Sequence, residues 1–67
     1  MSLNLFRIDL SQLSPIEKND LIKRIGDNSY MGPDLVHGTN YAEFFLEKRF
    51  DVNTLNIPDK CNLTHLS

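Results

Sequence analysis

The chain has a single cysteine, Cys61, among its 67 residues, and therefore no internal disulfide. A lone thiol stays reduced in the cytoplasm. Asn4, Arg7 and Asp9 interrupt the apolar start of the chain, so we expect no signal peptide there. No apolar run approaches the roughly 20 residues that a membrane-spanning helix needs. These absences predict a soluble cytoplasmic protein that does not enter a membrane.

The chain also lacks an excess of either charge. Seven basic and nine acidic residues are interspersed and give a net charge of −2. Nucleic-acid-binding domains normally concentrate basic residues on one face, and this sequence shows no such concentration. Two small basic pairs lie near aromatic residues that could stack on bases. We therefore retain a nucleic-acid-binding accessory protein as the alternative function, with contacts from Lys23, Arg24, Lys48 and Arg49.

The motifs of common enzymes and cofactor sites are missing. The three glycines are too scattered to form a phosphate-binding loop, and no Gly-x-Ser-x-Gly sequence is present. Cys61 and His65 are four residues apart, a spacing that can chelate a metal on a helix, but His37 is the only other ligand of the types zinc prefers. We therefore expect a protein that is not an enzyme and has no catalytic residue, metal site, cofactor or small-molecule substrate.

A strand is predicted at the start of the chain by alternating side chains. Phe6, Ile8 and Leu10 fall on one face of residues 3–10, and Arg7 and Asp9 fall on the other. Alternation with a period of two is typical of a half-buried strand.

A helix is predicted directly after this strand. Ser14 and Glu17 have the spacing of a capping box, and Pro15 occupies the first helical position. Gly26 is expected to end the helix, because glycine readily adopts the left-handed conformation found there. The helix would cover the strand with an apolar stripe formed by Leu21, Ile22 and Ile25.

Residues 41–50 fit two secondary structures. As a strand, they place Ala42, Phe44 and Leu46 on one face and Tyr41 and Phe45 on the other. As a second helix, they would begin with another capping box. We favour the strand, because one helix needs at least two strands to cover.

The remaining segments give weaker signals. Residues 27–40 read as a loop, although its length suggests a short helical turn or a hairpin within it. In the tail, Leu55 and Ile57 alternate with polar residues up to Pro58, which is typical of an edge strand. The prediction is a single α+β domain over residues 1–67, in the order β-α-loop-β-β, with one helix packed on a small, mainly antiparallel sheet.

The size and aromatic content point to a partner. A chain this short buries only about 60% of its unfolded surface, so its stability is marginal. Without a disulfide or metal, oligomerisation or partner binding is the remaining means of stabilisation. We expect a non-catalytic protein-interaction module, such as a regulator, inhibitor or small subunit, that self-associates or binds a larger protein. The expected contacts are Tyr30, His37, Tyr41 and Phe45.

Overall fold

Helix α1 (Pro15–Asn28) begins at the predicted capping box. The computed structural model describes residues 2–36, 38 and 40–67. The Glu17 backbone N–H donates to Ser14 Oγ at 3.2 Å, and the Ser14 N–H donates to Glu17 Oε1 at 2.9 Å. These bonds to Ser14, with a smaller contribution from Lys60, hold the pKa of Glu17 below its usual range. Ser14 therefore fixes the start of α1, as predicted.

The predicted end of the helix is wrong by two residues. The helix continues through Gly26 to Asn28, and the Ser29 N–H donates to the carbonyl oxygen of Ile25 at 2.8 Å. A Cβ atom added at Gly26 would lie 3.6 Å from Cδ of Pro33. Gly26 is thus an interior helical residue that faces the following strand.

The sheet contains four antiparallel strands in the order β2-β3-β1-β4. Their bounds are β1 Leu3–Asp9, β2 Met31–Val36, β3 Tyr41–Glu47 and β4 Thr64–His65. Strands β1 and β3 pair along their whole length, from Leu3 opposite Glu47 to Asp9 opposite Tyr41. The predicted α+β class, with one helix on an antiparallel sheet, is confirmed, and the alternative of a second helix over residues 41–50 is wrong.

Strand β2 lies inside the segment that reads as a loop. It pairs with β3 as a hairpin and adds an edge strand to the sheet. Between the pairs Met31–Phe45 and Asp34–Glu43, two residues of β2 oppose one residue of β3, which makes a β-bulge. The bulge is formed by Gly32, with φ of 103°, and Pro33, joined by a cis peptide bond. The bulge interrupts the alternation of side chains by which a strand is recognised in a sequence.

The tail forms short 3₁₀ helices where an edge strand was predicted. Val52–Leu55 and Asp59–Cys61 form two short 3₁₀ helices, each followed by an asparagine in the left-handed conformation. The alternation at Leu55 and Ile57 therefore does not mark a strand. The short strand β4 follows and pairs with β1.

The ten buried apolar side chains of the described residues lie in one cluster on the α1 side of the sheet. The sheet contributes alternate residues of β1 and β3, with Leu10 just beyond β1. Helix α1 contributes Leu21 and Ile25, and the tail contributes Leu55 and Cys61. The cluster consists of Phe6, Ile8, Leu10, Leu21, Ile25, Ala42, Phe44, Leu46, Leu55 and Cys61. The core therefore occupies one face of the sheet and leaves the other outside it.

Candidate protein-interaction face

The face of the sheet opposite α1, here called the open face, carries alternate residues of β1 and β3 with their partners on β2 and β4. None of its described residues belongs to the core cluster, and the helical segments direct their buried side chains to the other side. Side chains of directly paired residues share a face, so the strand register defines rows across the sheet.

Two of these rows are largely apolar. Near one end, Met31 pairs with Phe45 and Phe45 pairs with Leu5. Near the other end, Val36 pairs with Tyr41. Met31 is 54% exposed, whereas the other four side chains are half-buried by their neighbours. Apolar side chains thus line both ends of the open face.

A polar row lies between the two apolar rows. Asp34 pairs with Glu43, Glu43 pairs with Arg7, and Arg7 pairs with Thr64 on β4. Arg7 donates to Glu43 Oε2 through Nε at 2.9 Å and through Nη2 at 2.6 Å. Its guanidinium also lies 5.9 Å from the ring centroid of Tyr41, within cation–π range. These contacts fix the long Arg7 side chain against the sheet.

The predicted partner contacts fall at different places. Tyr41 and Phe45 lie together on the open face, two rows apart on β3. Tyr30 precedes β2 and lines a separate cleft, and His37 lies outside the described residues. Leu5 and Met31 join the face without having been predicted. The alternating pattern of β1 places Leu5 on the same face as Arg7, so Leu5 could have been predicted from the sequence. Met31 could not, because β2 itself is not evident from the sequence.

The cleft beside Tyr30 is an open depression of about 630 Å³ between the end of α1 and the end of β3. It is lined by Asn28, Ser29, Tyr30, Glu47, Arg49 and Phe50. Arg49 Nε lies 3.1 Å from Glu47 Oε2, so the charges within the cleft are paired. The depression adds a mixed polar and aromatic surface next to the open face.

The basic residues of the alternative function are mostly engaged with nearby acceptors. Arg24 contacts Asp20 and also donates through Nε to the carbonyl oxygen of Leu55 at 2.7 Å. Lys23 Nζ lies 3.2 Å from Asp27. Arg49 pairs with Glu47, as described above. Such pairing lowers the positive potential available to a phosphate backbone.

Cys61 and His65, the residues considered for metal binding or nucleophilic chemistry, both pack against other side chains. Cys61 has no exposed surface, and burial raises the pKa of its thiol. His65 is exposed, and its ring stacks on Phe6 with ring centroids 4.9 Å apart. Within the described part of the chain, no three His, Cys, Asp or Glu side chains form a group suited to a metal ion.

The edges of the sheet offer little regular backbone for pairing. The outer strand β2 contains Pro33, which has no amide N–H, and its bulge makes the edge irregular. At the other edge, β4 is only two residues long. Among the exposed surfaces of the described sheet, the open face is therefore more extensive than either edge.

Comparison with models of known protein families, with curated proteins and with solved structures finds no match to this chain. Within residues 2–36, 38 and 40–67, no helix is long and apolar enough to cross a membrane.

Proposed function

We propose that this chain is a non-catalytic protein-interaction module that binds another protein through the open face. The observation that carries the proposal is the one-sided core: α1 and the tail cover one face of the sheet, while Phe45, Leu5 and Met31 form an apolar row on the other. Aromatic residues and methionine are enriched at protein interfaces relative to the rest of a protein surface.

The surroundings of Cys61 support a non-catalytic role. A cysteine nucleophile reacts as the thiolate and needs solvent access together with a lowered pKa. Cys61 has neither, because burial raises its pKa and leaves no surface exposed. A reducing, cytoplasmic compartment suits this free thiol and is part of the proposal.

Site-specific photocrosslinking tests the proposed surface. One variant carries p-benzoylphenylalanine in place of Phe45, and a second carries it in place of Tyr41. A control carries it in place of Ile16, an 82% exposed apolar residue on α1 that lies away from the open face. Irradiation in cells of the native host should link positions 45 and 41 to the same protein, and position 16 should not be linked to it.

The outcome is read by mass spectrometry of the crosslinked band. Recovery of one protein from both open-face positions, and not from position 16, supports an interface on this face. Equal labelling from all three positions, or no crosslinked protein from positions 45 and 41, would show that the open face is not the binding surface.

A further inference from the structure

The open face carries an unbalanced set of charges. Among the described residues, four carboxylates, those of Asp9, Asp34, Glu43 and Glu47, lie on it with one cation, Arg7. Arg49 pairs with Glu47 from beyond the end of β3. Even with Arg49 included, acidic groups outnumber basic groups two to one. The open face is therefore both apolar and negatively charged.

This imbalance disfavours a second copy as the occupant. Two open faces placed against each other would bring together two negatively charged surfaces, and like charges across an interface oppose association. Three long strands about 4.8 Å apart, each about six residues of 3.4 Å, span roughly 15 Å by 20 Å, and an extended segment of about six residues has the same length.

The order of the rows indicates which side-chain pattern a complementary partner would need. The polar row of Asp34, Glu43 and Arg7 is separated from each apolar row by two residues along a strand, which is about 7 Å. An extended segment packed roughly along the strands has the same two-residue spacing. A sequence of the form apolar-x-Lys/Arg-x-apolar would place its cation over the carboxylates and its apolar side chains over the two apolar rows.

We infer that the occupant of the open face is a cationic, extended segment of a different protein, with a lysine or arginine flanked at two-residue spacing by apolar side chains. This inference rests on the proposed function and adds the chemistry of the partner to it. Asp34 is the clearest contributor, because it is exposed and forms no ion pair with any other described residue.

A peptide selection tests the inference. A phage-displayed library of random 12-residue peptides is selected on the wild-type chain, and peptides that also bind the Phe45→Ser variant are removed. We expect the retained peptides to be enriched in Lys or Arg at the centre of an apolar-x-cation-x-apolar pattern. Raising NaCl from 50 to 500 mM should weaken their binding about tenfold, because added salt screens exposed charges.

Charge reversal at matched positions provides the control. Asp34→Lys should weaken binding of the selected peptides about tenfold, because it replaces an attraction by a repulsion. Asp59→Lys reverses an exposed charge in the tail, away from the open face, and should change affinity less than twofold.

Each result decides the inference independently of the photocrosslinking. Selected peptides without a cation preference, equal effects of the two charge reversals, or no Phe45-dependent peptide would overturn the cationic partner. A protein crosslinked at position 45 would still support the proposed function in those cases. A dimer in sedimentation equilibrium that Phe45→Ser dissociates would also overturn the inference, because a second copy would then occupy the face.

Discussion

Two glycines only six residues apart have opposite roles in this fold. Gly26 is an exposed residue within α1, and among the described residues a Cβ added there meets only Pro33 Cδ, at an ordinary van der Waals distance of 3.6 Å. Gly32 has φ of 103°, and a Cβ there would lie 2.9 Å from the carbonyl oxygen of Glu43. The first glycine weakens its helix, whereas the second is required by the bulge of β2.

Alanine substitution at these positions should therefore change stability in opposite directions. Gly26→Ala should stabilise the protein by about 0.5–1 kcal/mol, because glycine within a helix loses more backbone entropy on folding than alanine. Gly32→Ala should destabilise it by about 2 kcal/mol or more, because alanine there is both strained and too close to β3. Thermal unfolding followed by circular dichroism measures both, and a shift of the same sign in the two variants would contradict these roles.

Glu17 should make the start of α1 sensitive to acid. Its folded-state pKa is lowered, chiefly by its hydrogen bonds with Ser14, so the carboxylate contributes stability above its unfolded-state pKa. That contribution is lost as the pH falls through the folded-state pKa. Urea unfolding between pH 7 and pH 3 should show a weaker pH dependence for Glu17→Gln than for wild type, because glutamine can still accept from the Ser14 N–H but does not titrate. Parallel pH profiles for the two proteins would show that this carboxylate does not contribute.

At the level of elements, Arg24 joins the helix to the tail. Its guanidinium donates to the carbonyl oxygens of Leu55 at 2.7 Å and Asn56 at 3.4 Å, and it also bonds to Asp20. The bond to Leu55 holds the first 3₁₀ helix against α1. Cys61 follows in the second 3₁₀ helix with its thiol in the core, so its alkylation reports opening of the tail.

Arg24→Ala should accelerate alkylation of Cys61 by about tenfold. Loss of a hydrogen bond from a charged donor costs about 1.5–3 kcal/mol, and this loss should favour the open state of the tail. Lys23→Ala is the matched control, because it removes an ion pair with Asp27 from the same helix without a bond to the tail. Mass spectrometry after timed iodoacetamide labelling measures both rates. Equal rates in the two variants would show that Arg24 does not hold the tail.

The elements differ in how much of their structure can be predicted from the sequence. Strand β1 and the start of α1 are evident because alternation and the Ser14 capping box are local signals. The end of α1 and strand β2 are not, because Gly26 continues the helix instead of ending it, and the bulge at Gly32 interrupts the alternation by which a strand is recognised. The tail alternates without forming a strand, since Leu55 is buried through a 3₁₀ helix.

For the molecule as a whole, the division between core and open face runs through β3. Phe44 and Phe45 are adjacent in the sequence and point to opposite sides of the sheet. Phe44 has no exposed surface and belongs to the core, whereas Phe45 is half-buried beside Leu5 on the open face. The alternation of residues 41–47 predicts this division. It does not predict the part of the open face that β2 contributes through Met31 and Asp34.

The same substitution at the two phenylalanines should therefore have very different effects. Phe44→Ala should cost about 3–5 kcal/mol, because it removes a large side chain from a packed core. A domain of this size has a total stability of only about 3–10 kcal/mol, so much of this variant should be unfolded. Phe45→Ala should cost about 1 kcal/mol or less, since it loses mainly cross-strand contacts. Urea unfolding measures both values. Comparable destabilisation of the two variants would place Phe45 in the core and remove the basis for an interface on the open face. A Phe45→Ala protein that stays folded but no longer binds the selected peptides would show that Phe45 serves binding and not stability.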